Sequence, residues 1–496
     1  RDRVAHVEHI EAAFGARFAT RTAPAWARLG RAHKVPMVVV PDAQAILDHP
    51  IFNARDAFAW FERDGQRYRV PKTPFALTRS PARAELDRPQ KPGQRPASTA
   101  PKPVDSPLAG VRIVDFSMGW AGPLASRILS DYGAEVVKIE AGRYPDWWRG
   151  VDWSPAAIDA RQYETSRHFA ALNRGKKSVS LDLTSARGLA LARQLVSKAD
   201  AVVENQAAGV LRRLGLGYDT LASEHPQLVM LSMCAFGSDN AWSETRAYGS
   251  VLEQGSGLPH FAGLPDSPPM MAHLAYGDPV GGLYGAAALV TAIYQQRAEG
   301  AGQWINAAQI EAMLPFTTPA LLLRQASGRE PQRRGNRHPH YVPHGCFACH
   351  HSDTWLALAV DDQSWPALCA VLGREDWRSD TSLCTASGRR LHECAIEEAL
   401  SQWAHSTNAA DAAALLQAAG VSAAAVASMQ EVTGNAQLEA RKFFHEVHRE
   451  HVALQLQAGL PVRLPLAQRY PLRLAAPLLG QHSREILLAH TDVDEA

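Results

Sequence analysis

From Leu108 onward, short apolar runs alternate with longer stretches that carry apolar residues at helical spacing. Val111-Arg-Ile-Val-Asp-Phe116 has the length and content of a buried strand, followed by a Gly/Pro turn and a helix from Leu124 to Tyr132. Glu135 to Ile139, Lys177 to Leu183, Ala201 to Glu204 and Leu228 to Ser232 predict further strands. Helices fall between them at Ser185 to Lys198 and Val210 to Leu214. Alternation of this kind predicts an α/β fold with a doubly wound parallel sheet. Farther on, the pattern predicts a long helix from Ala308 to Arg324 and a loop rich in Pro and His. A smaller α/β region follows, with a strand at Trp355 to Val360.

The chain also repeats itself. Val35 to Phe58 can be laid without gaps on Val421 to Phe444, an offset of 386, so that Val40 meets Val426 and Ala54-Arg55 meets Ala440-Arg441. A period that long is a whole protein, not a solenoid unit. Residues 88–107 (RPQKPGQRPASTAPKPVDSP) hold six prolines and little to bury, the composition of a semi-extended linker. The predicted organisation is a partial first copy over 1–87, a linker over 88–107 and a large domain over 108–325. A small domain over 326–425 and a segment over 426–496 returning to the large domain complete it.

Charge and composition narrow the function. Lys plus Arg total 51 against 50 Asp plus Glu, so no nucleic-acid partner is expected. The apolar run Val280 to Tyr294 is short of the ~20 residues needed to cross a bilayer, so no membrane partner is expected either. Six cysteines in 496 residues do not make a disulfide scaffold, and the charged start Arg-Asp-Arg is no signal peptide; a cytoplasmic location is expected. Arg1 in place of Met fits a processed chain or a piece of a longer one.

Several motifs have ordinary explanations. Cys346-Phe-Ala-Cys349-His350 matches a haem-attachment string, but a β-hairpin accounts for it, and no haem is expected. The histidines between His338 and His351 lack helical metal-ligand spacing and are broken by Pro339 and Pro343, so no metal is expected. The first βα turn, Phe116-Ser-Met-Gly-Trp-Ala-Gly-Pro123, is not a G-x-G-x-x-G fingerprint. Glu140 nevertheless stands where a ribose-binding acid would sit, and Pro123 suits the first position of a helix.

Ala275-Tyr-Gly-Asp-Pro-Val-Gly-Gly282 carries the most chemistry. It places a carboxylate, Asp278, near the start of an apolar helix, where backbone N–H groups favour negative charge. Gly277, Gly281 and Gly282 would let a bulky ligand approach and leave N–H groups free as oxyanion donors. An ordinary N-cap aspartate has the same signature.

Taken in order, these stretches resemble class III CoA transferases, the CaiB/BaiF family. The resemblance is carried by Pro107 to Phe116, Ala121-Gly-Pro123, Gly133 to Glu140, Asn173 to Leu183 and Ala199 to Asn205. It continues through Gly209 to Gly217, Gly277-Asp278 and Gly335-Asn-Arg-His-Pro339. It implies a Rossmann-like large domain with a parallel sheet, a smaller α/β domain, and an interlocked dimer or pseudo-dimer. It places Asp278 on the family's catalytic aspartate and implies coenzyme A, as acyl-CoA, for a substrate. CoA-binding positions would be Trp120, Ala121, Leu181, Asn205, Arg213, Leu214 and Arg246. The partners implied are an acyl-CoA donor and a carboxylic-acid acceptor, with CoA moved through an aspartyl anhydride and an aspartyl-CoA thioester.

Some positions depart from the pattern. Ala141 stands where some members carry Arg, although Arg143 is close, and Gln206 stands where an aromatic is common. Tyr248 replaces the histidine of family racemases, which argues against the alternative of an acyl-CoA racemase or isomerase. A non-catalytic CoA-binding half of a fused enzyme is the other alternative. The 386 offset and the family resemblance together suggest the later part of a fused two-copy member, with a homodimer for this chain or a pseudo-dimer in the fusion. The apolar residues of 1–85 should then need a neighbouring large domain to bury them.

Overall fold

The computed structural model describes residues 6–81, 106–150, 152–271, 275–462 and 475–494. Nearly all of the predicted linker, 88–105, lies outside them. The strands, in chain order, are β1 (Phe58–Arg63), β2 (Gln66–Pro71), β3 (Phe75–Leu77), β4 (Arg112–Asp115) and β5 (Glu135–Glu140). They continue with β6 (Lys177–Ser180), β7 (Ala201–Glu204), β8 (Val229–Cys234), β9 (Trp304–Ala308) and β10 (His344–Ala348). β11 (Trp355–Ala359), β12 (Ser422–Ala425), β13 (Phe444–Arg449) and β14 (Val452–Ala458) complete the series.

A seven-stranded sheet runs β3-β9-β8-β7-β4-β5-β6. Strands β4 to β9 are parallel, and β3 closes the edge antiparallel to β9. The order reverses between β4 and β7, which makes the end of β4 the switch point where open α/β sheets bind ligands. Both faces are covered, so the strands read as apolar runs. One face packs Val111, Ile113, Val203 and Leu231 against the helices Ala121–Asp131 and Gly277–Glu299. The other packs Val114, Val137, Val202 and Met230 against Leu191, Leu195 and Ile486.

Two elements differ from the sequence prediction. β9 lies where no strand was expected, and the long helix Ala308–Arg324 is replaced by a 3₁₀ turn, Glu311–Thr317, and a helix, Thr318–Ser327. Pro315 and Pro319 explain the break, since neither can donate to the carbonyl a turn back. Pro123 is the third residue of its helix, not the first, but still in the turn whose N–H groups go unpaired.

Residues 6–81 belong to the same compact unit as the sheet. Ile46, Ile51, Phe52 and Phe58 are buried against Phe236, Leu252, Ile310, Leu314 and Leu321. Arg55 forms a buried ion pair with Glu311 and hydrogen-bonds Asn306. The hairpin β13–β14 is part of this unit too, with Arg449 paired to Glu164.

The second unit comprises 262–268 and 332–442. Its antiparallel sheet β10-β11-β12 packs Phe347, Leu356 and Leu358 on Ile396, Leu400 and Leu416 of the following helices. The cysteine string lies on the β10–β11 hairpin expected for it, Cys346 exposed and Cys349 buried.

Candidate active site

The turn after β4 has almost every backbone polar group assigned. The Phe116 carbonyl accepts from the Gln206 side chain (3.1 Å), and Ser117 N–H donates to Asp115 Oδ1 (2.9 Å). Lys138 Nζ donates to the Ser117 carbonyl (2.7 Å). Asn205 grips Met118 from both ends, accepting from its N–H (2.9 Å) and donating to its carbonyl (2.8 Å). Gly119, at φ +78°, donates its N–H to Asp146 Oδ1 (3.1 Å). A Cβ on Gly122 would come within 2.3 Å of the Ser117 Cβ, so only glycine lets the helix start this close to the turn.

Beneath the turn lies a buried ionic network. Lys176 Nζ is 2.9 Å from Asp115 Oδ2 and Lys138 Nζ is 3.0 Å from Asp146 Oδ2, all four side chains fully buried. Burial works against each charge, but Asp146, Asp115 and Glu140 together hold Lys138 above the ordinary lysine range. Lys176 is pushed down to about 8, burial outweighing Asp115. Glu140 is gripped by Arg149 through two contacts of 2.8 Å and is buried, so it is not the free ribose acid that its position suggested.

Asp278 sits at the second position of the helix Gly277–Glu299. Its carboxylate does not cap that helix. Oδ2 accepts from the N–H of Gly249 (2.8 Å), the first residue of the helix Gly249–Gly255. The N-cap alternative therefore does not describe it. Burial lifts the Asp278 pKa to about 6, and the Gly249 hydrogen bond opposes only part of that rise. A Cβ at Gly249 would lie 2.3 Å from Oδ2 and 2.2 Å from the Ala275 carbonyl. Ala275 itself is held at φ +48°, a left-handed conformation that costs about 1–3 kcal/mol in a non-glycine residue.

The helix carrying Asp278 lies directly against the helix that follows the β4 turn. A Cβ on Gly282 would be 2.9 Å from the Ala121 carbonyl. Gly281 meets Gln309 in the same way, at 3.2 Å. Gly281 and Gly282 are thus buried packing residues at the fifth and sixth helix positions, with N–H groups directed into the helix ladder and not toward an oxyanion. Gly277 is buried as well, against Leu252.

The other predicted positions scatter in role. Trp120 is half-exposed at the helix start, edge-on to Trp148, and Ala121 is buried beneath it. The Leu181 side chain is buried in the core, and its N–H is bound to the Glu140 carbonyl. Asn205 serves the turn through Met118. Arg213 is exposed over Gly209 and has no ion-pair partner among the described residues, and Leu214 beside it is half-buried. Arg246 is exposed two residues before Tyr248. Trp147, not singled out from sequence, packs on Gly119 and meets Tyr248 edge-on at 6.4 Å, so an aromatic wall joins the turn to the Asp278 corner. Among the described residues no group of His, Cys, Asp and Glu is placed to hold a metal, and no helix is long and apolar enough to cross a membrane.

A six-strand parallel order with a preorganised turn at its switch point, and a half-buried carboxylate on the helix packed against the one that follows that turn, describe a Rossmann-like α/β domain. The chain belongs to CoA-transferase family III, whose model matches residues 1–95 and 108–483. It is 29% identical to a succinate–glutarate CoA-transferase of Agrobacterium fabrum, over 77% of this chain and 95% of that one. It is 31% identical to an acyl-CoA transferase of Fusarium pseudograminearum, over 77% and 84%. A CaiB/BaiF family protein from Brucella suis has the same fold, with TM-score 0.70 at 28% identity, covering 78% of this chain and all of that one.

Proposed function

We propose that this chain transfers CoA between carboxylic acids with Asp278 as the nucleophile. The observation that carries the proposal is the Asp278 corner: one carboxylate oxygen is held by Gly249 N–H, the other accepts no hydrogen bond among the described residues, and the pKa stands near 6. Raised basicity with ionisation retained at neutral pH suits a carboxylate nucleophile. The free oxygen attacks the acyl-CoA carbonyl, the C–S bond breaks, and a mixed anhydride and CoA thiolate form. Thiolate then attacks the aspartyl carbonyl, releasing the donor acid and leaving an aspartyl-CoA thioester. The acceptor carboxylate attacks that thioester, and returning thiolate takes the new acyl group, restoring Asp278. No proton is gained or lost over the cycle.

CoA would lie along the β4 turn, over Trp120 and Ala121, past Asn205 and Leu181, with Arg213, Leu214 and Arg246 toward its phosphates. The relatives' names favour short acids, dicarboxylates among them, as donor and acceptor. Residues 1–87 are read as the end of a first copy of the same fold, supported by the family model's separate match there. Incubation with acyl-CoA followed by peptide mass spectrometry should find CoA or, after hydroxylamine, a hydroxamate on Asp278. An unmodified Asp278 in a chain that turns over acyl-CoA would sink the proposal.

A further inference from the structure

The clamp on the β4 turn is itself held by a residue that takes no part in the proposed chemistry. Glu204 ends β7 directly before Asn205 and Gln206, the two side chains that grip Met118 and the Phe116 carbonyl. It is 7% exposed. Its Oε2 accepts from the Gln206 N–H, two residues on, at 2.8 Å. The same carboxylate meets the hydroxyl of Ser232, its register partner on β8. Trp304 Nε1 donates to Ser232 Oγ at 3.0 Å. An indole N–H can only donate, which leaves the serine proton for Glu204. Two donors thus converge on one buried carboxylate. Gln206 is fixed at its other end by Cys234, whose Sγ donates to the Gln206 carbonyl at 3.5 Å. Burial, with Glu204 beside it, pushes that thiol up to about 12, so it stays a neutral donor.

Strand alternation puts Glu204 and Ser232 on the sheet face of Val202 and Met230. Asp115 of β4 is in register with Val203, so it points to the opposite face, where Lys176 pairs with it. The titratable and charged groups on the Glu204 side are Cys234 of β8 and, across a cavity of about 40 Å³, Tyr218, Asp219 and Arg212. Arg212 is paired with Asp239 at 3.4 Å. Arg212 and Asp219 are exposed at the rim of this cavity, which connects the carboxylate with solvent protons. Burial lifts the Glu204 pKa to about 7, against the pull of its two hydrogen bonds. Its charge therefore changes across neutral pH.

We propose that Glu204 is a positioning residue for the turn after β4: its ionised carboxylate keeps the Asn205–Gln206 clamp closed, and its protonation loosens the turn and the CoA bound along it. A hydrogen bond to a charged acceptor is about twice as strong as one to a neutral acceptor, so the neutral acid holds the Gln206 N–H less firmly. By linkage, CoA binding expels a proton from Glu204.

The inference rests on the proposed placement of CoA along that turn, and the test separates the two. Calorimetry with free CoA compares the parent, Glu204→Gln and Ser232→Ala between pH 6 and pH 8. Hydrogen exchange of peptides covering 116–122 follows the turn in the same full chains without CoA. The parent should lose about tenfold in CoA affinity toward pH 6 beyond any loss in Glu204→Gln, which keeps an oxygen for the Gln206 N–H but has no charge to lose. Asp278 and the CoA phosphates titrate in both chains, so the difference belongs to Glu204. Ser232→Ala removes one donor from the carboxylate and should move the midpoint of the profile to higher pH, which a merely structural role would not do. Exchange of the turn, corrected for its intrinsic pH dependence, should be faster at pH 6 than at pH 8 in the parent and unchanged in Glu204→Gln. If Glu204→Gln does not fold by circular dichroism, the Ser232→Ala displacement decides. Turn exchange indifferent to Glu204 overturns the inference, and so does an unmoved midpoint in Ser232→Ala. Exchange that follows Glu204 while the parent and Glu204→Gln share one CoA profile overturns the placement of CoA along the turn, and this role with it.

Discussion

The turn after β4 and the Asp278 corner lie side by side and are built on opposite principles. The turn is over-determined: Asp115, Lys138, Asp146 and Gln206 each hold one of its backbone groups and Asn205 holds two, and the charges below are paired and fully buried. The Asp278 corner is under-determined. One backbone N–H holds the carboxylate, no cation pairs with it among the described residues, and the preceding Ala275 is strained. On the proposed mechanism a rigid cradle would keep a large ligand in place, while a sparsely solvated carboxylate would keep its nucleophilicity. Shape and reactivity on that mechanism fall to different residues, and substitutions should separate them.

The sharpest separation is Asp278→Asn. Loss of the nucleophile should lower kcat by about 10⁴-fold or more, roughly 5 kcal/mol of barrier. Stability should move the other way. Because the folded pKa of about 6 lies above the ordinary value near 4, the folded state binds the proton more tightly, and stability falls as pH rises between those values. Asn carries no charge to desolvate, so the variant should unfold with a free energy higher by about 1–3 kcal/mol above pH 6 and match the parent below pH 4. The parent's kcat/KM should fall as pH drops below 6. A variant no more stable than the parent at pH 7 would mean Asp278 is not strained by burial.

Lys138→Met attacks the other region. It leaves Asp146 with an uncompensated buried charge, while Asp115 keeps Lys176, and breaking such a pair costs about 3–5 kcal/mol. Urea unfolding should show that loss. Any folded fraction should have a raised KM for acyl-CoA with kcat less affected, since the Ser117 carbonyl loses its anchor. A substitution felt in kcat alone would remove the distinction between cradle and corner.

What the sequence made legible follows from this division. Buried parallel strands are continuous apolar runs, so β4 to β8 stand out, whereas Trp304-Ile-Asn-Ala-Ala308 is short and mixed and passes for a helix start. Asp278 is visible because a Gly-flanked carboxylate precedes an apolar helix and matches a family pattern. Its partner Gly249 is not visible, because 29 residues separate the two and only tertiary folding joins them. The network under the turn has its own signal in the sequence: Asp115 and Lys138 are charges inside strands with apolar cores, and a buried charge requires a partner. Asn205 is expected from the resemblance as a CoA-binding position, and its grip on the Met118 backbone is a task that only tertiary folding reveals.

Gly249→Ala probes the seam between the regions at smaller cost. Its methyl would enter 2.3 Å from Asp278 Oδ2 and 2.2 Å from a backbone carbonyl, so the helix must shift and the N–H anchor with it. Activity should fall about 100-fold, the scale of losing one preorganised donor, with KM for acyl-CoA nearly unchanged. A KM effect larger than the kcat effect would tie Gly249 to the cradle instead.

The smallest expected effect belongs to Arg213. It is exposed, unpaired among the described residues and close to the β7 end of the switch point, so its charge is available to a phosphate but is screened by water. Arg213→Ala should raise KM for acyl-CoA about fivefold, near 1 kcal/mol, and leave kcat and the melting temperature unchanged. Arg213→Lys should recover only part of that, because an ammonium cannot match the paired donors of guanidinium on phosphate oxygens. Salt gives the control that sequence variants cannot. At high ionic strength the parent and Arg213→Ala should converge in KM, since only the parent has this charge to screen. A KM gap that persists in high salt would mean Arg213 acts by packing over Gly209, and its place along the ligand would have to be given up.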